Sequence, residues 1–251
     1  NRIQPFDVTE RVVGWLRDHG IERLNMDLMY GLPHQTTERV IEMVDLALTL
    51  RPQRVALFGY AHVPWMRAHQ KLIDEATLPG TTERWEQSNA ASARLVAAGY
   101  VAVGLDHFAR PDDSMATALN DGSLHRNFQG YTVDTAPVLL GLGASAIGSL
   151  RQGYVQNTLP LRDYARAIDG GKFATVRGIE LSPDDIMRAA IIERLMCDLR
   201  VNLGEVAGDA GVSDTFSDEL AYLKRLEADG IISIAGDDIK VTEMGRPFVR
   251  L

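Results

Sequence analysis

Arg23-Leu24-Asn25-Met26-Asp27-Leu28-Met29-Tyr30-Gly31-Leu32-Pro33 reads as a short strand over 23–29 that runs into a glycine–proline stop. Helical patterns flank it. Residues 7–19 form one, and 36–50 another with Val40, Val44 and Leu48 on one face. A strand over 54–60, a long helix over 82–98 and a strand over 100–105 continue the alternation. Strands alternating with helices predict an α/β fold, with a parallel sheet and helices outside it. The apolar, glycine-rich run 136–150 suits one more strand with its following loop.

Each of these strands is followed by a cluster of unusual residues. Asp27 precedes Tyr30-Gly31-Leu32-Pro33, the next strand ends on Tyr60-Ala61-His62, and the third leads into Asp106-His107-Phe108-Ala109-Arg110-Pro111-Asp112-Asp113. In a β/α barrel the C-terminal strand ends converge on one mouth, where active sites lie. Charged turn tips would account for Asp112 and Asp113 but not for His107 and Phe108 beside them. A site at these strand ends is the better expectation.

At 251 residues the chain can bury roughly 70–75% of its unfolded surface. Its 45% hydrophobic and 24% charged residues are ordinary for a globular protein. A net charge of −8 argues against nucleic acid, whose binding draws on neutralised phosphates. Acidity does not exclude an anionic small substrate held by local arginines. No run approaches the ~20 apolar residues of a membrane span, and Asn1-Arg2-Ile3-Gln4 is not a signal peptide. The start without methionine suggests a processed or truncated chain. One cysteine, Cys197, cannot ligate an iron–sulfur cluster alone; its apolar surroundings (Ile191, Ile192, Leu195, Met196) suggest a buried packing role and a reducing, cytoplasmic setting.

The pattern changes after Lys172. Ser182-Pro183-Asp184-Asp185 is a helix start, in which Ser182 caps, proline suits the first turn and the acids oppose the dipole. Helices over about 184–199 and 215–229 precede two strands, 231–235 and 239–242, around Gly236-Asp237-Asp238. The division expected is barrel over 1–175 and a helical, winged-helix-like domain over 176–251. DNA recognition is disfavoured, because segment 214–229 carries five acids against two bases.

Other motifs weigh less. Gly141-Leu142-Gly143-Ala144-Ser145-Ala146 resembles a dinucleotide fingerprint, but Gly148 and Gly153 break the helix that should follow. Its glycines more simply allow close backbone approach. His107 and His125 with Asp106, Asp112 and Asp113 lack the spacing of a metal site, so no metal ligands are expected. By contrast His125-Arg126-Asn127-Phe128-Gln129-Gly130-Tyr131 packs a cation, amides and two aromatics into seven residues. That set suits a flat, carboxylated ligand.

In this order, these segments resemble the second half of the oxygen-independent coproporphyrinogen III oxidases, radical S-adenosylmethionine (SAM) enzymes. The resemblance is carried by Asn1 to Gln4, Asn25 to Pro33, Tyr60 to His62, Asp106 to Asp113, His125 to Thr132 and Gly143 to Ile147. It runs more loosely to Thr242-Glu243-Met244-Gly245-Arg246. The joint presence of 106–113 and 125–132 distinguishes this branch from the related haem chaperones. The resemblance implies the C-terminal part of a radical SAM β/α barrel, followed by the helical domain. It places SAM contacts at Arg2, Asp27, Ala61 and Ile147, and a catalytic role near a second SAM or the substrate at Gln129. Arg110, Arg126 and Arg151 are candidates for pairing substrate propionates, on charge and loop position.

The implied chemistry is that a four-iron four-sulfur cluster reduces SAM, and the resulting radical takes hydrogen from a propionate. Carbon dioxide and one electron then leave a vinyl group. Two rounds convert coproporphyrinogen III to protoporphyrinogen IX, with an electron donor the sequence does not name and a monomeric parent expected. The family's three-cysteine cluster loop has no counterpart in these residues, so the chain alone is expected to be inactive and to begin with an open sheet edge. Two other readings are a radical-SAM-like haem chaperone and a metal-dependent barrel hydrolase using His107 and its neighbouring acids.

Overall fold

The computed structural model describes residues 4–211 and 216–250, so Arg2 lies outside the described residues. The chain forms two compact units, one up to Asp121 and one from Gly122.

The first unit begins with α1 (Phe6–Asp18), β1 (Asn25–Tyr30), α2 (Thr37–Thr49) and β2 (Arg54–Gly59). It continues with α3 (Thr81–Ala97), β3 (Val101–Val103), β4 (His107–Ala109) and α4 (Ser114–Asp121). Thr36 caps α2 by accepting from the Arg39 N–H. Val40 and Val44 of α2 and Ala91 and Leu95 of α3 pack on Val55, Leu57 and Phe108, with Leu48 partly buried against them. The face read from the sequence is therefore the face that builds the core.

The sheet differs from the parallel one expected. Its order is β1-β2-β4-β3, with β1 and β2 parallel but β4 antiparallel to both neighbours. Gly104, at φ 56°, lets the chain reverse after β3. His107-Phe108-Ala109 then returns as a strand, because Phe108 and Ala109 have a core to enter and both are buried. What reads as a polar strand-end loop is thus a turn, a return strand and a helix start.

Asp113 is no charged tip either. It is buried, bonds Arg54 Nε through Oδ1 at 2.9 Å, and accepts from the Met115 N–H at 2.8 Å at the start of α4. That ion pair joins β2 to the segment following β4.

The second unit carries three small open sheets. β5 (His125–Asn127) and β6 (Gly130–Thr132) form a hairpin, and β7 (Ile147–Leu150), β8 (Gly153–Asn157) and β9 (Thr175–Glu180) an antiparallel sheet with α5 (Leu161–Asp169) between the last two in sequence. Of the run 136–150, only 147–150 is strand; the rest is loop, bridged to it at Leu139 and Ser149. Gly141 explains the close approach, since a Cβ there would sit 2.8 Å from the Ile147 carbonyl oxygen. The Asn157 side chain secures this loop by donating to the Gly141 and Gly143 carbonyls, each at 3.0 Å.

α6 (Pro183–Asp198) starts as its sequence promised, with Ser182 and Asp185 in a reciprocal capping box. β10 (Arg200–Asn202), α7 (Leu203–Ala210), α8 (Ser217–Ala228), β11 (Ile232–Ala235) and β12 (Asp238–Val241) complete the chain. The strands form a sheet of order β10-β12-β11 over a core of Met187, Leu203, Ala207, Phe216 and Ile239. No helix among the described residues is long and apolar enough to cross a membrane.

Candidate functional site

In the first unit the strand pairing sets Asp27, Ala56 and His107 in one row across β1, β2 and β4. Paired residues share a face, and this face is opposite the one holding Val55, Leu57 and Phe108. Two strand spacings put Asp27 and His107 about 10 Å apart. Asp27 is exposed and accepts from Asn25 Nδ2 at 2.8 Å. His107 Nδ1 lies 2.7 Å from Asp106 Oδ1, which orients the ring, and Phe58 meets that ring edge-on at 6.1 Å. With Met29 also exposed, the face presents a carboxylate beside apolar and aromatic surface.

The loop beyond β1 is fixed by residues the sequence reading passed over. Gln87, buried in α3, accepts from the Gly31 N–H at 2.9 Å and donates to the Gln35 carbonyl at 2.7 Å. Gln35 accepts from the Leu32 N–H and donates to the Met29 carbonyl. Gly31 has φ 82°, and a Cβ there would press on the Arg84 guanidinium at 3.3 Å. A polar residue on the buried stripe of Gln87, Ala91 and Leu95 was the available signal.

After β2, Ala61 is exposed and its carbonyl accepts from Gln70 Nε2 at 3.0 Å. His62 Nε2 lies 3.2 Å from Glu75 Oε1, while its Nδ1 and the Tyr60 hydroxyl are buried without a partner among the described residues. Arg110 sits in the same unit, with Nε 3.3 Å from Asp112 Oδ1.

The second unit holds a pocket of about 490 Å³ between the β5–β6 hairpin, the loop 134–139 and α6, a volume typical of small-molecule sites. Arg126, Phe128, Tyr154, Leu139, Ile192 and Glu193 are among its lining residues. The Arg126 guanidinium lies 5.1 Å over the Tyr131 ring, and its Nε is buried without an acceptor among the described residues. Phe128 packs edge-on against Tyr154 at 5.0 Å.

Gln129 is exposed at the hairpin tip, where its N–H donates to Asn127 Oδ1. Ile147 is half-buried at the start of β7, and Arg151 is exposed in the β7–β8 turn. Of the three arginines singled out for propionates, Arg126 alone lines this pocket. Among the described residues no group of three or more His, Cys, Asp or Glu side chains could hold a metal ion. His107 bonds Asp106, and Asp113 bonds Arg54.

Cys197 is fully buried, and loss of solvent, reinforced by the charges of Glu193 and Asp198, pushes its thiol up to about 12. It is a packing residue, not a thiolate. A thiol-alkylating reagent at pH 7 is expected to spare it in the native protein and label it after denaturation; equal labelling of both states would contradict this.

The HemN C-terminal domain family matches residues 181–248. The oxygen-independent coproporphyrinogen III oxidase of Bradyrhizobium diazoefficiens is 47% identical over 251 residues, covering 100% of this chain and 56% of that protein. The protein of the same name from Synechocystis is 39% identical over 256 residues, covering 100% and 55%. Among solved structures, the Escherichia coli coproporphyrinogen III oxidase HemN, described as a radical SAM enzyme, superposes with a TM-score of 0.93 at 36% identity. It is covered over 58% of its length by the whole of this chain. The chain thus spans about half the length of the relatives it matches.

Proposed function

We propose that the protein carrying this chain belongs to the oxygen-independent coproporphyrinogen III oxidase family, which the chain matches along its whole length, and that it decarboxylates two propionates of coproporphyrinogen III to vinyl groups, giving protoporphyrinogen IX. The observation that carries this reading is the arginine pocket. It sets the Arg126 side chain, which makes no ion pair among the described residues, among aromatic and aliphatic walls, as a carboxylate on an apolar body requires.

The family implies SAM and a four-iron four-sulfur cluster. The cluster does not fit the residues present: one buried cysteine with a raised pKa cannot supply three thiolates. We place its ligands in the portion of the full-length protein that lies outside this chain.

SAM fits better. The exposed Asp27 carboxylate, the exposed Ala61 segment and Ile147 at the start of β7 are our proposed contacts, with Arg2 and, near the second SAM or the substrate, Gln129. When bound, SAM supplies the hydrogen-abstracting agent. Asp27 would accept hydrogen bonds from its polar groups, and Phe58 and Met29 would lie beside it as apolar surface. Arg126 anchors one substrate carboxylate, with Arg110 and Arg151 as further propionate partners.

We place the first sheet in a radical SAM barrel over 1–175 and a winged-helix-like domain over 176–251. The order α6, β10, α7, α8, β11, β12 supports the latter.

Anaerobic incubation of the full-length, cluster-reconstituted protein with SAM, a reductant and coproporphyrinogen III tests the proposal. Vinyl-bearing porphyrinogen together with 5′-deoxyadenosine is the expected outcome. An intact cluster with haem binding but no vinyl product would turn the reading to a haem chaperone.

A further inference from the structure

We propose that Glu193 is a positioning residue for the arginine pocket, holding β5 so that the Arg126 guanidinium stays open to a substrate carboxylate. The inference rests on reading that pocket as a substrate subsite.

Ala189, Ile192, Glu193 and Met196 share one face of α6, at helical spacing, and all four line the pocket. The same face tethers both strands of the hairpin. Glu193 Oε1 accepts from the Arg126 N–H at 3.1 Å and lies 3.2 Å from His125 Nδ1. On β6, the Tyr131 hydroxyl donates to the Met196 carbonyl at 3.0 Å. Arg126 and Tyr131 are paired across the hairpin, so the two tethers together fix the ring on which the guanidinium rests.

Which part of Arg126 the carboxylate engages is the informative point. Glu193 bonds the backbone N–H, and the side chain makes no ion pair among the described residues. The other acid in the wall, Asp134, accepts from the Ala136 N–H within its own turn. Arg194 lies 4.0 Å from Glu193 Oε2 but is bound more closely to Asp198, at 2.9 Å. The Arg126 guanidinium, on a residue that lines the pocket, therefore keeps its capacity for an incoming anion. A carboxylate meets an arginine edge with two parallel hydrogen bonds only when the fork is correctly presented. Glu193 sets that presentation without competing for the fork.

The test titrates the full-length protein with coproporphyrin III, the stable oxidised tetracarboxylate, following porphyrin fluorescence. Arg126→Ala is expected to weaken binding roughly tenfold. Glu193→Met, which keeps the volume but loses the acceptor, should weaken it about five- to tenfold. Glu193→Gln, whose amide oxygen accepts from the same donors, should stay within about twofold. Because Glu193 acts through Arg126, the double variant Arg126→Ala/Glu193→Met should bind no more weakly than Arg126→Ala alone. Multiplying losses in the double variant, or wild-type affinity in Glu193→Met, overturns the proposal. Equal losses in the Gln and Met variants also overturn it. Should wild-type protein make vinyl product while the Met variant binds normally, only this inference fails; absence of vinyl product from wild type defeats the reading beneath it.

Discussion

Replacing Gln87 with leucine should lower the unfolding free energy of the full-length protein by about 3 kcal/mol, read from urea denaturation. Leucine matches the volume and suits the buried stripe it shares with Ala91 and Leu95, so an account based on apolar burial predicts little loss or even a gain. The hydrogen bonds predict the reverse. The Gln87 side chain satisfies the Gly31 N–H and the Gln35 carbonyl. Leucine strands both groups, and each buried orphan costs roughly 1–3 kcal/mol. A loss under about 0.5 kcal/mol would mean that water reaches the loop and that Gln87 does not fix it.

Gly153→Ala should cost at least as much, about 3 kcal/mol or more. At this position φ is 153°, and a Cβ would lie 1.9 Å from the Ile179 carbonyl oxygen. That oxygen is backbone, so no side chain can swing aside. β8 and β9 must part where Gly153 pairs with Glu180, and the neighbouring Leu181 N–H to Gln152 carbonyl bond is disturbed with them. Gly208→Ala in α7 is the control: nothing lies within 4 Å of its Cβ position, and helix propensity favours alanine by about 1 kcal/mol. Opposite signs for the two substitutions support the backbone argument; equal losses would contradict it.

Local chemistry was the legible part of this fold. The Ser182 start, the Gly236-Asp237-Asp238 turn and the apolar face of α2 each depend on residues within a few positions of one another. Cys197 was legible for the same reason, since its neighbours in sequence are apolar. The sense of β4 was not. His107-Phe108-Ala109 is short, and it becomes a strand by pairing both with β3 beside it and with β2, some fifty residues upstream.

The candidate site divides in the same way. Arg126, Phe128 and Tyr131 were visible as one dense segment; Arg126 and Phe128 line one pocket, with the Tyr131 ring under the Arg126 guanidinium. Glu193 was not, because an acid inside Ile191-Ile192-Glu193-Arg194 looks like a solvated helix position until the hairpin is brought against it. Gln87 was hidden similarly, with its partners 52 and 56 positions away in sequence.

The proposed activity makes a count that no binding or transfer function shares. Each propionate that becomes a vinyl group releases one carbon dioxide, so isotopically labelled carboxylates give the stoichiometry directly. For the full-length protein with SAM and a reductant, two labelled carbon dioxide molecules should be released per protoporphyrinogen IX formed, with SAM required for both. SAM consumption with an intact cluster and no labelled carbon dioxide would contradict the assignment of this chain to propionate decarboxylation.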